Sequence, residues 1–243
     1  MKLYHGDCLE IMKTLKDKSI DMIFCDLPYG VTKNKWDVVI PFEPLWEQYE
    51  RLIKDNGAII LTATQPFSSQ LVMSNSKMFR YEMIWEKPIA SNQLNVNNQP
   101  LRNHESILIF YKKQPVYNEQ KTSGLPYSVS RNGGYKNSSY DPQSPTIKNN
   151  DGYRHAKSVL KISNPRIKDG HPTQKPLELL KNLISAYSNE GDTVLDNCMG
   201  SGSTGAACYE LNREFIGIEK DDKYFKMAST LLTLNSLCCI IKL

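Results

Sequence analysis

The chain has 243 residues, 40% of them hydrophobic, with a formal charge of +4, which suits one large α/β domain or one domain carrying an insertion. No window reaches the apolar length of a membrane span, and the N-terminus lacks the apolar core of a signal peptide, so a membrane partner is excluded and cytoplasmic residence is the expectation. The six cysteines (8, 25, 198, 208, 238 and 239) show no CxxC pair or Cys/His ligand spacing, so neither a disulfide nor a metal is expected.

Residues 2–5 read as a short strand. Asp7 followed by Glu10 makes a capping-box-like start for a helix whose Leu9, Met12 and Leu15 recur at helical spacing. A strand at 20–25 then runs into Phe24-Cys25-Asp26-Leu27-Pro28-Tyr29-Gly30. Pro28 fixes its own φ and pushes Leu27 out of helical conformation, which holds Asp26 and Tyr29 on stiff backbone at the strand's carboxyl end. A flat aromatic beside a hydrogen-bond acceptor suits a planar base bearing an amino group. Taken alone, the stretch fits an ordinary strand-to-turn exit equally well.

After a loop at 31–40, Phe42, Leu45, Trp46, Tyr49, Leu52 and Ile53 share one helix face, with Asn56-Gly57 expected to end that helix. The continuous apolar run 58–61 suits a fully buried parallel strand, followed by a loop at 62–65 and a helix through 70–74. Runs 81–85 and 106–111 read as strands separated by a polar loop at 89–105. Between about 115 and 155 there is no periodicity, and Pro, Gly and Asn recur too often for long helices. The span 112–170 holds eleven Lys and Arg against four Asp and Glu, a charge of +7 that leaves −3 for the remainder, together with five tyrosines (117, 127, 135, 140 and 153). It reads as an insertion within a single domain 1–243, with the composition of a surface that tracks phosphates and packs on bases. A merely solvated insertion is the rival reading.

Beyond His171-Pro172-Thr173-Gln174-Lys175-Pro176, residues Leu177, Leu180, Leu183, Ile184 and Tyr187 form an amphipathic pattern with proline in the first turn, stopped at Glu190-Gly191-Asp192. Val194-Leu195-Asp196 is a strand, Gly200-Ser201-Gly202-Ser203-Thr204-Gly205 a glycine-rich turn, 206–211 a helix, and 215–218 a strand ending at Glu219. Glu219 lies 23 residues after Asp196, close to the spacing at which an acid on the second strand of a βαβ unit accepts hydrogen bonds from a ribose. The glycines let backbone approach a ligand, and the helix N-terminus favours negative charge. Asp196-Asn197-Cys198-Met199 is not the usual dinucleotide opening. A carboxylate-bearing nucleoside such as S-adenosylmethionine therefore fits at least as well as a dinucleotide.

With these stretches in hand, the chain resembles the β group of DNA amino-methyltransferases, in which an Asp-Pro-Pro-Tyr motif precedes the glycine loop. Gly6-Asp7-Cys8, Asp26-Leu27-Pro28-Tyr29-Gly30, His171 to Pro176, and 194–204 with Glu219 stand in the family's order across nearly the whole chain. Two departures are Leu27, where the family's motif has its first proline, and Asn197-Cys198, where Pro-Phe is common. The resemblance implies a Rossmann-like methyltransferase fold with a mixed, mostly parallel sheet, a circularly permuted motif order, and 112–170 as the target-recognition insertion. It implies S-adenosylmethionine as cofactor and double-stranded DNA as partner, and admits a homodimer and a cognate restriction endonuclease. The catalytic residues it implies are Asp26, the Leu27 carbonyl, Pro28 and Tyr29. Asp7, with Cys8, would contact the cofactor's adenine, Glu219 the ribose, and Asp196 with Gly200, Ser201, Gly202, Ser203 and Thr204 the methionine part. Thr173, Gln174 and Lys175 would sit near its carboxylate, with a solvated Lys175 the equal rival. Trp36, Trp46 and Trp85 read as core or loop packing before base stackers, with Trp36, close after the motif, the lesser candidate for lining the base pocket. The expected reaction is methylation of adenine N6 in duplex DNA. Cytosine N4 is the nearest alternative, less favoured because Ser is commoner than Asp at the first motif position in the cytosine group, and an RNA target is less favoured still.

Overall fold

Successive residues of a strand point to opposite faces of a sheet, and residues 22–25 show the consequence: Met22 and Phe24 pack into one buried cluster, Ile23 and Cys25 into another. Ala58 and Ile60 alternate with Ile59 and Leu61 in the same way, as do Ile107 and Ile109 with Leu108 and Phe110. Strands buried on both faces need continuous apolar runs, which is why these segments lack polar alternation.

The computed structural model describes residues 1–31, 34, 37–131, 146–164, 174–235 and 239–241. In chain order the elements are β1 (Lys2–His5), α1 (Cys8–Thr14), β2 (Ile20–Cys25), α2 (Phe42–Leu52), β3 (Ile53–Ala63), α3 (Phe67–Ser74), β4 (Phe79–Ser91) and β5 (Arg102–Phe110). Then come the short strands β6 (Thr122–Ser123), β7 (Tyr127–Arg131), β8 (Thr146–Asn150), β9 (Tyr153–Arg154) and β10 (Val159–Lys161). The chain continues through α4 (Leu177–Tyr187), β11 (Thr193–Asp196), α5 (Ser203–Glu210), β12 (Glu214–Glu219), α6 (Asp222–Asn235) and β13 (Cys239–Ile241).

These elements form two compact units, Met1–Asn118 with Ser158–Leu243, and Glu119–Lys157. The first unit contains a nine-stranded sheet of order β10-β4-β5-β3-β2-β11-β12-β1-β13, in which β5 is antiparallel to both neighbours and every other pair is parallel. Residues of α1, α2 and α3 lie in the cluster on one face, and those of α4, α5 and α6 in the cluster on the other. This is the mixed, mostly parallel Rossmann-like arrangement expected. Among the described residues no helix is long and apolar enough to cross a membrane.

Three local expectations are corrected. Asn56-Gly57 does not end α2. The helix stops at Leu52, and the pair lies inside β3, where the register with β2 shifts between Ile20↔Ile53 and Met22↔Ala58. Gly57 is needed there because a Cβ would sit 2.6 Å from the Asp21 carbonyl oxygen. Thr62 belongs to β3 rather than to a loop, paired with Ile107. Both ends of the expected polar loop 89–105 are strand: β4 runs on to Ser91 and β5 begins at Arg102, and the two pair from Phe79↔Phe110 out to Ser91↔Arg102, leaving 92–101 as the loop. Helix α6, whose buried Phe225, Ala228 and Leu232 follow helical spacing, and the edge strands β10 and β13 add to the elements read from the sequence.

The second unit consists of two antiparallel pairs, β6 with β9 and β7 with β8. Arg154 ties them internally, donating to the Leu125 carbonyl and Asn150 Oδ1 while its guanidinium lies 4.5 Å from the centre of the Tyr127 ring. Residues 112–118 and 158–164 cluster with the first unit, so the basic span is divided, and Glu119–Lys157 carries six Lys and Arg against three Asp and Glu.

Candidate active site

Parallel strands that are neighbours share one carboxyl edge, and in open α/β sheets ligands bind outside that edge. Here β2, β11, β12 and β1 are consecutive in the sheet and parallel, so Asp26, Asp196, Glu219 and the Gly6-Asp7 turn emerge side by side although they are far apart in sequence. Between them lies a cavity of 590 Å³, within the range of roughly 300–1,000 Å³ usual for small-molecule sites. Its lining includes Asp7, Cys8, Asp26, Leu27, Pro28, Tyr29, Gln174, Lys175, Asp196, Gly200, Ser201, Ser203, Thr204 and Glu219. Gly202 stands behind the loop as the residue before α5, at φ +87°, where an added Cβ would press on Ala228. Thr173 and Trp36 lie outside the described residues.

Asp26 is the hub of a buried polar network. Its Oδ1 accepts from the Thr62 hydroxyl at 2.5 Å and the Tyr29 hydroxyl at 2.6 Å, and its Oδ2 from Lys175 Nζ at 2.5 Å. A carboxylate offers about four lone-pair sites, so one acceptor position remains. Lys175 is only 6% exposed and makes a second ion pair with Glu105 Oε2 at 3.2 Å, while Glu105 is also paired with Lys87. Burial works against the charge on Lys175, but Asp26 and Glu105 outweigh it and hold the ammonium above its ordinary value. Burial likewise opposes the Glu105 charge, and Lys175 and Lys87 reverse the balance, leaving that carboxyl below the usual range. Lys175, expected beside a cofactor carboxylate or in solvent, is thus buried between two protein carboxylates.

Leu27 buries its side chain in the core, and among the described residues nothing donates to its carbonyl. The Tyr29 ring stacks on Phe67 with centroids 5.2 Å apart, so one of its faces is backed by protein. Asp37 accepts from the Gly30 and Val31 amides at 2.8 and 3.0 Å, fixing the chain as it leaves the motif.

The glycine loop is held from below by its acids. Asp196 accepts from Cys198 N at 3.1 Å and Thr204 Oγ1 at 2.6 Å, and burial pushes its carboxyl up to about 7. Glu219 accepts from Gly200 N at 2.9 Å and Asp221 N at 2.8 Å, and burial raises its carboxyl too. Gly200 and Gly202 both have positive φ, the conformation that frees loop amides from helical geometry and that residues with a Cβ rarely adopt. Ser201 Oγ reaches Gln174 Oε1 at 3.4 Å. Asp7 caps α1 through Leu9 N at 3.0 Å and pairs with Lys220; partial burial raises its carboxyl, and Lys220 with the amides of the first helical turn together more than reverse that.

Thr62, Glu105 and Asp37 were not singled out by sequence. The signal for Glu105 was present, a lone acid at the start of an apolar run, but its meaning depends on which strand lies beside it. The apolar string Val38-Val39-Ile40-Pro41, which also lines the cavity, was visible as an unusual composition for a loop.

The N6/N4 family model, described as DNA methylase, matches residues 20–230. The chain is 31% identical to the DNA adenine methyltransferase YhdJ of Escherichia coli, over 93% of this chain and 80% of that protein. It is 29% identical to the type II methyltransferase M2.MboI of Moraxella bovis, over 93% and 85% of the two chains. The crystal structure of an M1.HpyAVI–SAM complex superposes with a TM-score of 0.65 at 27% identity, covering 96% of this chain and 100% of the other. The cytosine-N4-specific PvuII DNA methyltransferase, at 15% identity and a TM-score of 0.68 over 93% and 84% of the two chains, shares the fold.

Proposed function

The chain belongs to the N6/N4 DNA methylase family and is an S-adenosylmethionine-dependent DNA methyltransferase, and from that premise we propose that it methylates the exocyclic N6 of a flipped adenine at a specific DNA sequence. The observation that carries the choice of base is the 31% identity, over nearly the whole chain, to a relative named as an adenine methyltransferase. Asp at the first motif position supports it. Methylation-sensitive sequencing of DNA exposed to the protein tests it: N6-methyladenine at one sequence is expected, and N4-methylcytosine would replace the reading.

Bound S-adenosylmethionine supplies the electrophilic sulfonium methyl. Asp7 and Glu219 would hold its adenosine end and the Gly200 to Thr204 loop its methionine end, since all line the same cavity except Gly202 behind the loop. Asp196 acts here by holding that loop through Thr204 and Cys198 N. An exocyclic amino nitrogen is a poor nucleophile because its lone pair is conjugated with the ring. The free acceptor site of Asp26 and the Leu27 carbonyl each take one amino hydrogen, which turns the lone pair toward the methyl group. The methyl would pass directly, its bond to sulfur breaking as the bond to nitrogen forms and S-adenosylhomocysteine leaving, and Asp26 takes the nitrogen's surplus proton. Tyr29 offers the flipped base the ring face that Phe67 does not cover, offsetting part of the stacking lost in the duplex.

Tyr29→Ala should raise KM for DNA about tenfold, the scale of one base stack, whereas Tyr29→Phe should be milder because Thr62 still holds Asp26 Oδ1. A Phe variant as impaired as the Ala variant would assign the hydroxyl a larger part than stacking.

The unit Glu119–Lys157 is the proposed target-recognition element, on its surplus of basic side chains and its exposed Tyr127 and Tyr153. Removing the exposed Lys121 and Lys148 should flatten the dependence of DNA affinity on salt, by roughly one logarithmic unit of slope for each phosphate no longer neutralised. Cofactor affinity should not change. An unaltered slope in a salt titration would show that this unit does not bind the phosphates.

A further inference from the structure

The hairpin formed by β4 and β5 reaches past the active-site edge of the sheet. Strand β3 ends at Ala63, opposite Ser106 of β5, and β10 ends opposite Glu86 of β4. Beyond those points β4 and β5 pair only with each other, to Ser91↔Arg102, and are closed by the 3-10 turn Gln93–Asn95. Past the end of β3, the four β5 residues from Glu105 to Arg102 amount to an overhang of roughly 13 Å, with the register of β4 shifted between Glu86 and Ser91.

The base of the hairpin is tied to the reacting centre. Lys87 pairs with Glu105, Glu105 with Lys175, and Lys175 with Asp26. A target base cannot reach Asp26 from within a duplex and must be extruded, so the duplex lies outside this edge of the sheet, where the hairpin projects.

The tip has an unusual surface. Residues 88–101 contain no charged side chain but six amides, Asn92, Gln93, Asn95, Asn97, Asn98 and Gln99. Leu94 is 99% exposed, with Ile89 and Val96 also open to solvent. The hydrogen bonds that the Gln93 and Asn95 side-chain amides donate, to the Ala90 carbonyl and Asn92 Oδ1, stay within the hairpin. Without carboxylates such a tip can approach DNA closely, and without cations it has no preference for the phosphates. Amides match the donor and acceptor pairs on base edges, above all those of adenine. An apolar side chain at a protruding tip suits contact with bases that have lost a stacking neighbour.

We propose that the β4–β5 hairpin is a second DNA-contacting element, whose tip enters the duplex beside the target base. Leu94 packs against the base pairs left unstacked by extrusion, and the Asn97 and Asn98 amides face neighbouring base edges. The assignment rests on the family's DNA substrate and holds whether the target is adenine or cytosine.

The test uses the full chain carrying Leu94→Ala or Asn97→Asp, with a fluorescent duplex containing the methylation site mapped by sequencing. Both residues are exposed, so the fold should be kept, which unchanged S-adenosylmethionine binding in calorimetry would verify. Leu94→Ala should weaken binding to the matched duplex about tenfold, the scale of one leucine's burial. The loss should be clearly smaller on a duplex mismatched at the target, where extrusion is already cheap. Asn97→Asp, which sets a carboxylate against DNA, should weaken both. Wild-type affinity of both variants for the matched duplex would overturn the proposal. So would loss of a protein dimer in sedimentation with DNA affinity per chain unchanged, since the tip would then serve a second copy of the chain.

Discussion

Replacing Asp26 by alanine is expected to reduce methyl transfer by about a hundredfold to ten-thousandfold, the range for loss of a positioned proton acceptor, while leaving S-adenosylmethionine affinity unchanged. The expectation follows from where the carboxylate's bonds go. Its partners are Thr62, Tyr29 and Lys175, whereas the glycine loop is held by Asp196 and Glu219. Single-turnover rates and cofactor calorimetry together decide the matter. A parallel loss of cofactor binding would mean that Asp26 acts on the cofactor rather than on the amino group. Asp26→Asn, which keeps the volume and one acceptor oxygen, should retain the fold and still fail in turnover.

Lys175→Met is expected to lower both activity and stability. Its side chain is buried, and its removal takes the cation from between Asp26, which opens on the cavity, and Glu105, which keeps only Lys87. Breaking a buried pair in this way costs about 3–5 kcal/mol. The pH dependence has a definite sign. In the wild type the Glu105 carboxyl is lowered, so its contribution is present above the unfolded carboxylate value and lost as pH falls through the folded one. The Lys175 ammonium is raised, so its contribution is full below the unfolded lysine value and lost only as pH rises through the folded one. The network therefore stabilises the protein throughout the neutral range. Without Lys175 the Glu105 carboxyl titrates higher and takes up a proton more readily in the folded state, so the deficit should shrink as pH falls from 8 toward about 5. Adding Glu105→Gln should restore part of the stability and none of the turnover. Urea unfolding at both ends of that pH range measures this, and a Lys175→Met protein as stable as wild type at pH 8 would show that the ion pairs contribute nothing.

The candidate site was legible in parts because its motifs are local. Pro28 sets the backbone around Asp26 and Tyr29 whatever surrounds it, and Gly200 and Gly202 mark a loop that needs positive φ. Apolar runs named β2, β3, β5 and β11, since a strand buried on both faces has little choice of composition. Errors came where a long-range partner overrides a local signal. Asn56-Gly57 has the composition of a helix stop, yet pairing of Ile53 with Ile20 draws the stretch into β3.

From sequence alone came the α/β class, the order of the motifs, and the chemical identity of an acceptor, an aromatic face and a glycine loop, because each depends on residues within a few positions of one another. Tertiary structure decided that Lys175 answers Asp26 and Glu105, that Thr62 completes the Asp26 shell, and that a polar stretch is a hairpin reaching past the active-site edge. Those facts depend on which strand lies beside which and in what register. Register and order are settled by burial summed over the whole sheet, so no single stretch of sequence contains them.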